Sequence, residues 1–450
     1  MNQPRSTSTR SGTVLIVVLV IVTMVSLAAY HFTMAMESEH IATRNAGDQI
    51  KARQAVRSGV EVVAAILEQP RSRRQQSLQK LMGQEMDLWE VQNRDDSAAV
   101  FQIEFEPIPE SGKINLHSLM LWDQSDPGLA FDVLLRLPDM DQQTASRLLD
   151  WIDSDSETRI ADGEQNARNS VPLAMSELVH LGNGNGSSAS RDDQSETTRP
   201  RWLDYLTVHS AERNTTYDGN QRINLNSIDL NDLHAQLTRA VSIDIADYVI
   251  RFRQYGPADD TNSIVESAEP VAIDFAVPGQ FDFLGLGELI ESSVKVPTTS
   301  GSSAVVVTSP IQLNGSQLMP LDQVFDQLTV NVEDRIIGRI NLESAPFEVI
   351  AAIPGLDEAS ARQIIQARGF DGQNRFVGQR FRHAIGILSS AGIAPTIVGE
   401  ILDKVTVGED VLKVQIRGKY DDRVPELRCE AIIDASGRQP KLISIQETGF

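Results

Sequence analysis

The sequence predicts an α+β fold: a long N-terminal helix packed on a small antiparallel sheet, with a large, mostly helical insertion of repeated helix–hairpin–helix units between the strands. An uncharged apolar run at 11–36 passes into a helical stripe. A basic-Ile-Asn-Leu-x-Ser block occurs three times, and alternating apolar residues return after residue 410.

Residues 11–36 hold no Lys, Arg, Asp or Glu, and their core, Val14 to Val22, is β-branched and leucine throughout. As a helix this run reaches about 39 Å, more than the roughly 30 Å hydrocarbon core of a bilayer. Arg5 and Arg10 precede it, and Glu37 and Glu39 follow, so the positive-inside rule puts the N-terminus in the cytoplasm. No proline stands between Thr13 and Gln69, and Ala52, Val56, Val60, Val63 and Leu67 recur every three or four residues. One continuous helix is therefore expected over 13–70, half in the membrane and half outside. The competing reading is a cleaved secretory signal, with Ser26-Leu27-Ala28-Ala29 as its cleavage site.

The first part of the sheet is expected within 71–112. Val100 to Glu106 alternates in part, and Pro107, Pro109 and Gly112 are expected to end that strand. The repeat follows. Its first marker is Lys113-Ile114-Asn115-Leu116-His117-Ser118, then Arg222-Ile223-Asn224-Leu225-Asn226-Ser227, then Arg339-Ile340-Asn341-Leu342-Glu343-Ser344. A second marker keeps phase: Leu203 to Val208, Phe325 to Val330 and Leu402 to Val407. A Glu-Leu pair falls in the first two copies, Glu177-Leu178 and Glu288-Leu289. These markers predict helical units at 113–221, 222–338 and 339–403.

Each unit carries a helix–hairpin–helix pattern. The clearest runs from Ala345 to Ile353, turns at Pro354-Gly355, and resumes from Glu358 to Ile365. Leu134 to Leu137 before Pro138, with Ala145 to Leu149 after it, offers the same in the first copy; Ile243 and Ile245 before Ala246 to Ile250 do so in the second. Residues 182–200 and 297–303 read as poorly ordered linkers, and 257–280 as an irregular acidic insertion. Within 404–450, Val411 to Gly418, Leu427 to Ile433 and Lys441 to Ile445 read as an antiparallel meander that joins the earlier strand. Cys429, the sole cysteine, is expected at a buried strand position, and no internal disulfide can form.

The net charge is −22, from 62 acidic and 40 basic residues. That excess disfavours a general nucleic-acid binder, which needs clustered Lys and Arg. Seven scattered histidines, with no phosphate loop and no nucleophile elbow, lead to no expected enzymatic activity. The densest candidate site is acidic: Asp150, Asp153, Asp155, Glu157, Asp162 and Glu164, with Arg159 as counter-charge. Asp153, Asp155 and Glu157 alternate as oxygen ligands do in calcium loops, with Glu164 as a fourth ligand, so calcium is the expected metal. A solvated acidic loop is the alternative.

Arg10-Ser11-Gly12 followed by Thr13-Val14-Leu15-Ile16-Val17 resembles a prepilin leader. The resemblance implies a leader at 1–12, cut after Gly12 by a prepilin peptidase to leave Thr13 as the new N-terminus. Val17 stands where most pilins carry Glu, and an apolar residue there is similar to the K-type minor pseudopilins. A buried Glu needs a partner charge, and a subunit placed first at a filament tip has none to satisfy. With Asp150-Trp151-Ile152-Asp153-Ser154-Asp155, Leu206-Thr207-Val208 and the terminal strands, most of the chain resembles the general secretion pathway protein K family of type II secretion.

That family implies SAM-like helical units and a single-pass bacterial inner-membrane protein, its N-terminus cytoplasmic and its bulk periplasmic. It implies a place at the pseudopilus tip in protein export, with the I- and J-type minor pseudopilins and the secretion platform as partners. It also associates the Asp-rich segment with calcium. A third helical unit departs from the usual two. The alternative function is a membrane-anchored helix–hairpin–helix DNA receptor of a competence-type uptake system. Against it, Asp357 and Glu358, Asp139 and Asp141, and Asp244 stand where phosphate would dock.

Overall fold

The computed structural model describes residues 11–74, 77, 102–155, 157–160, 167–182, 200–258, 271–298, 304–313, 319–368, 381–419 and 427–448. The 182–200 linker lies almost wholly outside the described residues, as does the start of the leader, and so does half of 257–280, residues 259–270.

Helix α1, Ser11–Glu68, runs unbroken for 58 residues, about 87 Å at 1.5 Å per residue. Val14 to Met36 are exposed along it, and the helix is long and apolar enough to cross a membrane. Pro70 follows its end, where a proline stops the ladder. The last carbonyls, which have no intrahelical donors, take cationic ones. Leu67 O accepts from Arg74 Nη2 at 2.9 Å and Arg213 Nη2 at 3.1 Å, and Glu68 O from Arg213 Nη1 at 3.2 Å.

The distal half of α1 lies on a four-stranded antiparallel sheet. Its strands are β1 (Gln102–Pro109), β12 (Val411–Lys419), β13 (Leu427–Asp434) and β14 (Lys441–Thr448), paired in that order. Ala52, Val56, Val60, Val63 and Leu67 pack against Leu412, Val414, Ile416, Leu427, Cys429, Ala431 and Ile433. Each such Val or Leu, fully buried, stabilises the fold by about 1.5–3 kcal/mol. Burial pushes the Cys429 thiol pKa up. β1 does not stop at Pro107 as expected: Pro107 pairs with Val414 and Pro109 with Leu412. An edge strand tolerates proline because the missing N–H belongs on the unpaired side.

Among the described residues, ten short strands lie between β1 and β12: β2 (Ile114–Asn115), β3 (Leu206–Thr207), β4 (Ala211–Arg213), β5 (Ile223–Asn224), β6 (Ser293–Pro297), β7 (Ala304–Thr308), β8 (Leu328–Thr329), β9 (Arg335–Ile337), β10 (Ile340–Asn341) and β11 (Val405–Thr406). The two sequence markers of each copy pair with one another. β2 lies parallel to β3, β5 to β8 and β10 to β11.

The side chains repeat this geometry. The Oδ1 atoms of Asn115, Asn224 and Asn341 accept the N–H two residues on, from His117, Asn226 and Glu343, at 2.8, 2.9 and 2.8 Å. The Oγ1 atoms of Thr207, Thr329 and Thr406 do likewise for His209, Asn331 and Gly408 at 3.1, 3.1 and 2.9 Å. Arg222 Nε and Arg339 Nε each donate at 3.1 Å to the carbonyl of the second marker's aspartate, Asp326 and Asp403. The third pairing reaches Thr406, past residue 403.

Each unit also holds consecutive helices that pack together: Leu129–Leu135 with Gln142–Ile152, Leu230–Ala240 with Ile243–Tyr255, and Phe347–Ala352 with Glu358–Ala367. Helices Ala384–Ser390 and Pro395–Ile401 then lean back on Leu321–Asp326 and Leu286–Leu289 of the second unit. A Cβ on Gly287 would stand 2.2 Å from the Gly399 carbonyl oxygen, so only glycine admits that contact. β6 and β7 form a hairpin flanking the 297–303 linker, whose residues 299–303 are outside the described set.

Candidate functional site

The acidic segment begins on the last turn of helix Gln142–Ile152. Asp150 is fully buried, and its carboxylate accepts the Arg159 backbone N–H at 3.1 Å and the Ile160 N–H at 3.3 Å. Arg159 Nη1 lies 3.2 Å from Asp150 Oδ1 and also ion-pairs with Asp153. Asp153 is 4% exposed, and its Oδ1 has no hydrogen-bond partner among the described residues. Burial pushes its pKa up even against Arg159. Burial alone would lower the Arg159 pKa, but the two carboxylates outweigh it and raise it.

Asp155 Oδ1 accepts the Glu157 N–H at 2.8 Å, and both residues are exposed. Asn169 closes the segment by donating from Nδ2 to Asp155 O at 3.0 Å. Asp150 and Asp153 therefore converge on a guanidinium, while Asp155 and Glu157 stay at the surface. Glu164 lies outside the described residues. Among the described residues no group of three or more His, Cys, Asp or Glu is arranged to hold a metal ion. Arg159 stands out in sequence as the one counter-charge of the cluster, but its bridging of two carboxylates needed the fold to be seen.

Gly12 and Thr13 lie in the first turn of α1 and are exposed, with nothing within 4 Å of a Cβ built on Gly12. Among the described residues Gly12 thus makes no tertiary contact.

The hairpins place their acids as caps. Asp141 accepts the Thr144 N–H at 2.7 Å, and Asp357 the Ser360 N–H at 2.8 Å. Those hydrogen bonds hold both carboxylates below the usual range. Asp139 at φ 60° and Gly355 at φ 89° occupy matching left-handed positions two residues earlier. In the second unit Ser242 caps helix Ile243–Tyr255 through Ile245 N–H at 3.2 Å, so Ile243 and Ile245 lie inside the second helix of the pair and not, as expected from sequence, before its turn. At each of these helix starts one N–H is thus bonded to the chain's own side chain, and at two of them that side chain is a carboxylate, which opposes a phosphate.

The Glu-Leu markers also share a geometry. Glu177 accepts the Leu173 N–H at 2.9 Å, and Glu288 the Leu284 N–H at 2.7 Å; Leu178 and Leu289 are buried. Each turn holds up an exposed leucine, Leu173 or Leu284. Sequence reading found the pairs but not the leucines they present.

No protein-family model matches the chain, and no curated protein matches it. Among solved structures it is similar to the GspK–GspI–GspJ complex of the type 2 secretion system from enterotoxigenic Escherichia coli. That similarity has a TM-score of 0.34 at 11% identity, over 89% of this chain and 98% of that one.

Proposed function

We propose that this chain is a minor pseudopilin of a type II secretion system, standing near the pseudopilus tip and acting in protein export. The observation that carries the reading is α1. Its first half is apolar and exposed, and its second half seals an antiparallel sheet through one five-residue stripe. A helix of that kind joins a membrane anchor to an exported domain without a flexible joint. Residues 1–12 would be the leader, the inner membrane would hold the anchor, and the bulk of the chain would be periplasmic. The three marker-paired units would serve as a protein-binding scaffold rather than a catalyst. The capped hairpins weigh against the DNA-receptor alternative.

Co-purification tests this reading. The exported part, from about residue 35, is expected to form a stable complex with the I- and J-type minor pseudopilins of the same cell. Monomeric behaviour in their presence would contradict it.

A further inference from the structure

All three units meet at one cleft. The first contributes Leu121 and Trp122, the second Leu284 and Ile337, and the third Arg339 and Lys404. The units approach so closely because residue 338 is glycine at φ 76°, where a Cβ would fall 1.7 Å from Ser118 Oγ. The cavity measures about 230 Å³, below the roughly 300–1,000 Å³ of small-molecule sites. A cavity of ~150 Å³ already holds a benzene ring, so this one suits a single large side chain.

Its lining mixes polar and apolar groups, and three of the apolar ones stand exposed at the open mouth. Leu284 is 88% exposed, Leu121 51% and Ile337 42%. Single exposed apolar residues need no explanation, but a set converging on a concavity marks an interaction surface. Leu284 is held in place by its N–H bond to Glu288, so little ordering entropy is lost on binding.

A strand edge runs beside the rim. Gly338 N–H donates to Ser210 O, and Asn214 N–H to Asp334 O. The alternation of antiparallel pairing then turns the N–H and C=O of Ile337 away from β4. The Ile337 carbonyl accepts from Ser118 Oγ at 3.4 Å, on the cleft side.

The lining charges are Arg339, Lys404 and Asp403, two cations to one carboxylate in a chain of net −22. Arg339 is already engaged by Glu212 and Asp403. Lys404 donates to Glu400 O at 2.7 Å. An ammonium has three donors, and the others have no acceptor among the described residues.

We infer that this cleft binds an extended segment of a partner protein, with one large apolar side chain in the cavity and a neighbouring carboxylate on Lys404. The site goes beyond the pseudopilin reading and does not depend on it.

The probe is a fluorescent short peptide with a central phenylalanine flanked by aspartates, titrated by anisotropy against the full chain in detergent. Saturable binding is expected, weakened about tenfold or more by Leu284→Asp and by Lys404→Glu. The exposed sheet-edge variant Ile443→Asp should bind as wild type does. A peptide with lysines for the aspartates should bind more weakly. Matched melting temperatures will show that the variants fold. The inference is overturned by absent or unsaturable binding, by equal binding of the lysine peptide, or by Leu284→Asp binding like wild type. It is also overturned if sedimentation shows a dimer that Leu284→Asp dissolves, since a second copy would then fill the cleft.

Discussion

Arg74 Nη1 stands 2.7 Å from Asp410 Oδ1 with both side chains buried, and the pair ties the end of α1 to the start of the terminal strands. Asp410 Oδ2 also accepts the Arg213 N–H at 2.8 Å. One carboxylate thus joins the end of α1, the sheet and the link between the first two units. Burial would raise its pKa, but Arg74 and Arg71 outweigh that and hold it below 3.8. Its contribution is therefore complete above that value and lost as the pH falls below it. Asp410→Ala leaves a buried guanidinium unpaired and should cost about 3 kcal/mol or more. Denaturant unfolding of the chain from about residue 35 onward measures this; a loss under about 1 kcal/mol would contradict it.

His383 should make stability pH-dependent. Its Nδ1 accepts the Ile385 N–H at 3.3 Å, and its ring lies against Phe325. Burial, then the charges of Arg222, Arg339 and Arg71, press its pKa well below 6.5. A depressed pKa means that its stabilising contribution is full above the unfolded value of 6.5 and is lost as the pH falls below it. Melting temperature should therefore drop between about pH 7 and pH 5. His383→Asn keeps a capping oxygen and should flatten that drop; an unchanged slope would contradict the assignment.

Much of this architecture is written in local patterns. Ala52, Val56, Val60, Val63 and Leu67 sit at helical spacing, and they are the residues that meet the sheet. Alternation around Cys429 likewise marks its buried strand. The marker blocks show in sequence that something recurs. That Ile114 lies beside Leu206, Ile223 beside Leu328 and Ile340 beside Val405 does not show. A two-residue strand has no period to detect, and its partner is fixed only by the fold. The β6–β7 hairpin is hidden for a related reason. Pro297 to Ser303 has linker composition, and Val294 and Val296 gain meaning only opposite Val307 and Val305. In the acidic segment the residue types suggest a cation, and the fold puts Arg159 between Asp150 and Asp153.

Calcium remains a proposal for Asp153, Asp155, Glu157 and Glu164. Its support is the buried Oδ1 of Asp153, unpartnered among the described residues, an atom that a hard cation would satisfy. Calcium binding should raise the melting temperature of the exported part by mass action, and chelator should remove the rise. Asp153→Ala with Asp155→Ala should abolish the difference. Equal melting of wild type with calcium and with chelator would contradict the calcium proposal and leave Arg159 as the cation seen between Asp150 and Asp153.

N-terminal sequencing of the mature protein, purified from the inner membrane, tests the central claim most directly. Gly12 and Thr13 are exposed at the start of an unbroken helix, and the proposed prepilin-type leader ends there. The account predicts a mature chain that begins at Thr13, with Gly12→Leu left unprocessed. A mature chain that begins at Ala29 or Tyr30 would mean a cleaved secretory signal, and would contradict both the anchor and the pseudopilin reading.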